Sequence, residues 1–298
     1  MTSRLAGTAA APLSPTLRGM LWMFACGLQF TMMNALLKTL SQQMDAWMAG
    51  WIRYTLGILF LLPSVLHAGW QALRPKQFGL HFLRGAFHAG GILLWLTALP
   101  HIMLAELTAI SFMSPIYICL GAVLFLGERM SAARWLAVLL GFGGVLLVVR
   151  PWETGFSGVS KGTFFMLLST PVFAVGFLLA KLLTRTEKSA TIVLWQHLWV
   201  ALLLFPFALP GWTIPGAQQW GIILLAALLG TGGHYCNTRS YAAADISAVQ
   251  SIKFLELVWA SLLGLALFDV MPAGWTMLGG VVILGSTLWI ARRESRGT

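Results

Sequence analysis

The chain has 298 residues, of which 58% are hydrophobic and only 9% charged, with a net charge of +10. Such a composition cannot cover a soluble globule with polar surface, so the chain belongs in a lipid bilayer. Its Lys and Arg residues stand singly in short loops and tails, without a basic stripe, which argues against nucleic acid as a partner and for the asymmetric loop charge of a membrane protein.

The stretch up to Arg18 lacks the charged start, short apolar run and cleavage site of a secretory signal, so a first span is expected uncleaved at 17–37. A helix needs about 20 mostly apolar residues to cross the hydrocarbon. By that measure further spans are expected at 46–66, 79–99, 104–126, 132–149, 161–183, 190–209, 218–240, 246–267 and 273–291. Pro63, Pro75, Pro100, Pro151, Pro206, Pro210 and Pro215 punctuate them. The apolar runs are continuous and lack the alternation of a β-barrel. Cys26, Cys119 and Cys236 lie within these runs, odd in number, and read as small core residues rather than disulfide partners.

The ten spans contain one block twice. Gln77-Phe78-Gly79 and Gly90-Gly91 recur 142 residues later as Gln219-Trp220-Gly221 and Gly232-Gly233. Gly19, Phe30 and Lys38 recur as Gly162, Phe173 and Lys181 at a spacing of 143, and Glu128 and Gly144 as Asp269 and Gly285 at 141. A repeat of five spans must start its second copy from the opposite side of the membrane. Two inverted halves, 17–150 and 160–292, are therefore expected around a pseudo-twofold axis in the membrane plane, an arrangement typical of transporters. Thirteen Lys and Arg residues fall on the side of the termini and three on the other, which predicts both termini in the cytoplasm and a multi-pass location in a bacterial inner membrane.

Ser114-Pro115 followed by Leu126-Gly127-Glu128, together with Gly141, Gly143 and Gly144 in the fifth span, carries a resemblance over nearly the whole chain. With these residues and its two five-helix repeats, the chain resembles the EamA-type branch of the drug/metabolite transporter superfamily, and within it bacterial amino-acid exporters of the YddG type. It departs from that pattern at Glu256-Leu257, where Glu-Pro is common, and at Asp269, where a Gly-Glu ending is common. The resemblance implies an all-α, basket-like bundle of ten transmembrane helices around a central cavity. The third, fourth, eighth and ninth helices would line the cavity, with help from the first and sixth.

Polar residues three, four or seven apart share a helix face and mark a cavity-lining stripe. On that basis the candidate substrate-binding residues are Gln29 in the first span, Arg84, His88 and Trp95 in the third, and Ser111, Ser114 and Tyr117 beside Pro115 in the fourth. To these are added His234 and Tyr235 in the eighth span, and Gln250, Lys253 and Glu256 in the ninth. Each has a structural alternative: Arg84 snorkelling to headgroups, Pro115 kinking its helix, His234 packed against a carbonyl, and Lys253 with Glu256 as a self-neutralising intrahelical pair. Arg53 reads as structural or interfacial.

The expected activity is export of amino acids or related small zwitterions, by alternating access or facilitated diffusion. Other amphipathic metabolites or drugs are the nearest alternative. The first span holds no acid between Leu17 and Leu37, unlike the small multidrug exporters of the same superfamily, and leaves Glu106 and Glu256 as the acids on a conceivable proton path. An intramembrane enzyme using His88, His197, His234 and Glu256 is the competing class, but no His-Glu-x-x-His or Gly-x-Ser-x-Gly motif supports it. No cofactor or metal is expected, the partners are a small molecule and the bilayer, and a monomer is compatible with the pattern.

Overall fold

Without water to satisfy them, backbone groups within a bilayer bond inside their own segment, and the apolar runs accordingly fold as helices. The computed structural model describes residues 13–67, 69, 73–101, 110–150, 152, 160–268 and 274–296. The first half contains α1 (Pro15–Leu40), α2 (Ala46–His67), α3 (Phe78–Ala98), α4 (Ser114–Leu126) and α5 (Ala132–Val149). The second contains α6 (Lys161–Leu183), α7 (Ser189–Ala208), α8 (Ala217–Ala243), α9 (Ile246–Lys253), α10 (Leu255–Phe268) and α11 (Gly274–Arg296). Serine side chains cap three helix starts: Ser14 accepts from the Leu17 N–H, Ser131 from Arg134 and Ser160 from Thr163. Gly127 closes α4 in the left-handed conformation, φ 69°, which glycine adopts without penalty.

Five of the described helices, α1, α2, α6, α7 and α11, are long and apolar enough to cross a membrane by length and composition alone. The exterior is apolar, with Leu124, Phe125, Leu202 and Leu228 exposed, while α8 buries Thr231, His234, Asn237, Thr238 and Ser240. That inside-out pattern is the one a lipid solvent selects.

Helix pairing follows the internal repeat. α1 packs on α8 and α3 on α6; α1 meets α9 and α4 meets α6; α2 meets α8 and α3 meets α7. The remaining large contacts, α2 with α7, α4 with α9 and α5 with α11, each join a helix to its own counterpart. Exchanging the halves maps every one of these contacts onto another or onto itself. Gly144 and Gly279 allow the close α5–α11 crossing, since a Cβ on Gly144 would stand 2.9 Å from the Gly279 carbonyl oxygen.

Two spans differ from the sequence expectation in the same way. The span expected at 246–267 is broken at Phe254 into α9 and α10, with the Leu257 N–H reaching the Phe254 carbonyl in a tighter turn. The span expected at 104–126 is interrupted by a turn at Phe112 and Met113, between helical residues 110–111 and α4 from Ser114, and Glu106 lies outside the described residues, as does Asp269. Pro115 therefore does not kink a continuous helix. It occupies the first turn of α4, where its missing N–H is not needed. Phe112 and Phe254 are 142 residues apart, and their rings meet with centroids 5.7 Å apart, so the two breaks face each other across the pseudo-twofold axis.

Candidate functional site

Tyr54 of α2, His88 of α3, His197 of α7 and His234 of α8 converge near the middles of their helices. The Tyr54 hydroxyl hydrogen-bonds His88 Nε2 at 2.9 Å. His197 donates from Nδ1 to the Val193 carbonyl at 2.9 Å, leaving Nε2 facing the Thr231 hydroxyl at 3.3 Å. Ring centroids lie 5.0 Å apart for His88 and His234, 5.6 Å for His197 and His234, and 5.0 Å for Tyr54 and His197. Gly57 makes this crowding possible, because a Cβ there would lie 2.6 Å from Thr231 Oγ1.

Arg53 supplies the charge. It is 3% exposed, its guanidinium carbon lies 3.9 Å from the centre of the Tyr54 ring, and its Nε and Nη1 have no hydrogen-bond partner. A buried donor without an acceptor is costly, and a cation–π contact offsets only part of that cost.

Two phenylalanines flank the cluster symmetrically. Phe30 of α1 lies on Gly233 and its ring centroid is 5.0 Å from that of His234, while Phe173 of α6 lies on Gly91 and is 5.3 Å from His88. Phe30 and Phe173 are repeat counterparts, as are Gly91 and Gly233. The protein's own side chains thus fill the centre of the bundle in this structure.

A cleft of about 510 Å³ opens between the halves at the end of the bundle that carries the chain termini, lined by Glu128, Arg129, Lys181, Arg185, Tyr241 and Asp245 among others. Polar links brace it. Glu128 accepts from the N–H groups of Ile246 and Ser247 at 2.9 and 3.1 Å and from the Ser247 hydroxyl at 2.7 Å, so a first-half carboxylate covers the N-terminus of a second-half helix. Arg134 donates to Glu294 at 2.9 Å and Asp245 at 3.2 Å. Lys181 donates to the Tyr241 and Ala244 carbonyls at 2.8 and 2.6 Å, holding the free carbonyls at the end of α8.

Of the residues singled out in the sequence, His88 and His234 come together at the centre. Arg84 neither snorkels nor faces an open space: its guanidinium is buried and donates to the Ile192 carbonyl at 2.7 Å and to Gln196 Oε1, binding α3 to α7. Trp95 packs among apolar residues near Ala98, Leu99 and Met166, and Tyr235 meets the edge of Trp22. Gln29 donates to the Ala25 carbonyl and to Cys236 Sγ. Ser114 is buried at the start of α4, Ser111 is half-buried just before the turn that precedes it, and Tyr117 is half-buried against the main apolar cluster. Gln250 is fully buried, donating to the Ile246 carbonyl while its Oε1 has no partner.

Lys253 and Glu256 form no ion pair within 4.0 Å, contrary to the self-neutralising alternative. The break at Phe254 sits between them, and Lys253 Nζ lies 4.7 Å from the centre of the Phe177 ring. From sequence alone Arg53 reads as structural or interfacial, His197 enters only the competing enzyme site, and Tyr54 is not singled out. The clue to them was an arginine placed well inside an apolar span, beside a tyrosine, with a histidine at the equivalent point of the other half. Among the described residues no three of His, Cys, Asp and Glu are placed to hold a metal ion.

Comparison with known proteins bears on this architecture at three levels. A riboflavin transporter of Rhizobium johnstonii is 33% identical over 93% of this chain and 92% of its own, and one of Vibrio cholerae is 31% identical over 94% and 95%. A more distant relative is an S-adenosylmethionine uptake transporter of Rickettsia prowazekii, 22% identical over 94% of each chain. A solved crystal structure superposes with a TM-score of 0.78 at 18% identity, covering 93% of this chain and 97% of that one, which supports the fold. The model of the EamA-like transporter family matches residues 17–150 and again 160–292. With the doubled match, the helix pairing and the lipid-facing exterior, the chain belongs to the EamA-like transporter family and is a multi-pass membrane transporter built on the two-repeat fold of the drug/metabolite transporter superfamily.

Proposed function

We propose that the chain carries riboflavin, or a planar heteroaromatic like it, through the centre of the bundle. The observation that carries this reading is Arg53: a buried guanidinium with two N–H groups unpaired, lying on Tyr54 beside three histidines. An isoalloxazine ring offers carbonyl oxygens to such donors and a flat surface to Tyr54, His88 and His234. The positively charged centre disfavours a cation and favours an acceptor-rich neutral solute. The riboflavin relatives lend the reading its substrate name.

In this reading residues 17–150 and 160–292 are the two moving halves, working as one monomer in a bacterial inner membrane with both termini cytoplasmic, and the protein is a carrier and not an enzyme. Of the candidate residues, His88 and His234 contact the solute directly. The amino-acid reading keeps one specific support, the unpaired opposite charges of Lys253 and Glu256 at the helix break, which suit a zwitterion.

Counterflow of labelled riboflavin and of a panel of labelled amino acids into liposomes containing the pure protein separates the two. Riboflavin should exchange, and Arg53→Met should slow the exchange with the protein still monodisperse. Movement of amino acids with no riboflavin movement above empty liposomes would sink the riboflavin reading.

A further inference from the structure

Glu256 stands in the first turn of α10, immediately after the break at Phe254. Its Oε1 is buried and has no hydrogen-bond partner. The side chain lies across Gly27 of α1, where an added Cβ would be 3.1 Å from Glu256 Cγ. Thr31 of α1 gives its hydroxyl proton to the Gly27 carbonyl at 2.9 Å and also approaches the Glu256 backbone carbonyl at 3.4 Å, not the carboxyl group. The acid therefore sits at a contact between the two halves of the molecule, with no hydrogen bond to that oxygen and no ion pair within 4.0 Å.

The titratable groups that face it are few. α9 brings Lys253, which is turned onto Phe177 of α6, and α1 brings the Cys26 thiol. α11, which also packs on α10, has no ionisable side chain before Arg292. A carboxylate in this setting is expensive, and a proton on the group removes the charge without requiring a partner.

We propose that Glu256 is a proton-binding site linked to transport, a deepening that rests on the carrier reading given above. In the closed arrangement without solute the carboxyl O–H bond is intact, and with solute bound the halves close over the carboxylate. When the halves part along α1 and α10, that bond breaks, the proton passes to water on the side then open, and the carboxylate left behind takes a proton from the other side on the return. Each cycle thus moves a proton across the membrane along with a passage of solute.

Two measurements on the full-length protein test it. The first needs no solute: infrared difference spectra over a pH titration in liposomes should show the carbonyl stretch of a neutral carboxylic acid that Glu256→Gln lacks and Glu256→Asp keeps in shifted form. A wild-type protein without that band overturns the proton site, whatever solute it carries. The second follows lumenal pH with a red-emitting dye while a riboflavin gradient is imposed. Wild type should change the lumenal pH in step with riboflavin movement, and Glu256→Gln should reduce the ratio of protons to riboflavin to the leak of empty liposomes. Riboflavin movement in wild type without a pH change overturns the linkage, and an unchanged ratio in Glu256→Gln assigns it elsewhere. If riboflavin does not move at all, the substrate reading fails and the infrared band still decides the site. Should the Gln variant fail to fold, Glu256→Asp carries the assignment: an unshifted band and an unchanged ratio of protons to riboflavin in that variant overturn the site.

Discussion

Replacing Arg84 with Met removes two hydrogen bonds that bind α3 to α7, one to the Ile192 carbonyl and one to Gln196 Oε1. Interhelical hydrogen bonds in membranes average about 0.6 kcal/mol and reach about 1.7. A charged donor places these two near the upper end, so their joint loss costs about 2–3 kcal/mol. Gln196 is 1% exposed and its Nε2 already has no partner, so losing the arginine orphans the whole amide and adds about 1 kcal/mol. Gln196→Leu alone leaves Arg84 its bond to Ile192 and should cost about 1–2 kcal/mol. The double variant should be more stable than the sum of the single costs by about 1 kcal/mol, because no stranded amide remains. Reversible thermal unfolding of all four proteins in one detergent reads the cycle, and riboflavin counterflow on the same samples reads transport. Additivity within about 0.5 kcal/mol would refute the proposed coupling. Unchanged stability with lost transport in Arg84→Met would instead return Arg84 to the solute.

Gly57→Ala should cost about 1–3 kcal/mol by overpacking, since its Cβ would stand 2.7 Å from His197 Nε2, and the same unfolding assay checks it. Glu128→Gln weakens the cover on the α9 N-terminus by about 1–2 kcal/mol, and faster amide exchange at Ile246 and Ser247 is the expected sign. Phe254→Ala should destabilise by about 3–5 kcal/mol through the cavity left against Phe112 and Gly141, whereas Phe254→Leu, which fills most of the space, should lose less than half of that.

The number and placement of the spans were legible because a bilayer imposes a minimum apolar length, and the halves because the glycine and phenylalanine pairs recur at nearly constant spacing. The breaks at Phe112 and Phe254 were not. Phenylalanine is an ordinary helix residue, and nothing local to either span marks the point at which the two rings, distant in sequence, meet. Arg53 illustrates the same limit from the other side. Its position inside an apolar run was visible, but only packing shows its two donors unpaired over Tyr54. His88 was legible as a polar residue sharing a helix face with Arg84 and Trp95 in the third span, and His234 as one directly after Gly232-Gly233 in the eighth. Lys253 and Glu256 were legible as a pair of charges, yet three residues of separation implies an ion pair only in an unbroken helix, and this helix is broken.

Exchanging the two halves returns the Phe112–Phe254 pair to itself, but turns Phe30 on Gly233 into Phe173 on Gly91. In a carrier whose halves trade conformations, a contact of the first kind contributes equally whichever end of the path is open. Contacts of the second kind are arms of a balance, one belonging to each end. Weakening the axial pair lowers both states and leaves their ratio untouched, whereas trimming Phe30 or Phe173 tilts the ratio in opposite directions, tenfold for each ~1.4 kcal/mol. The resting preference of the molecule for one face of the membrane then depends on how unequally the two arms are loaded, with His234 5.0 Å from one phenylalanine and His88 5.3 Å from the other.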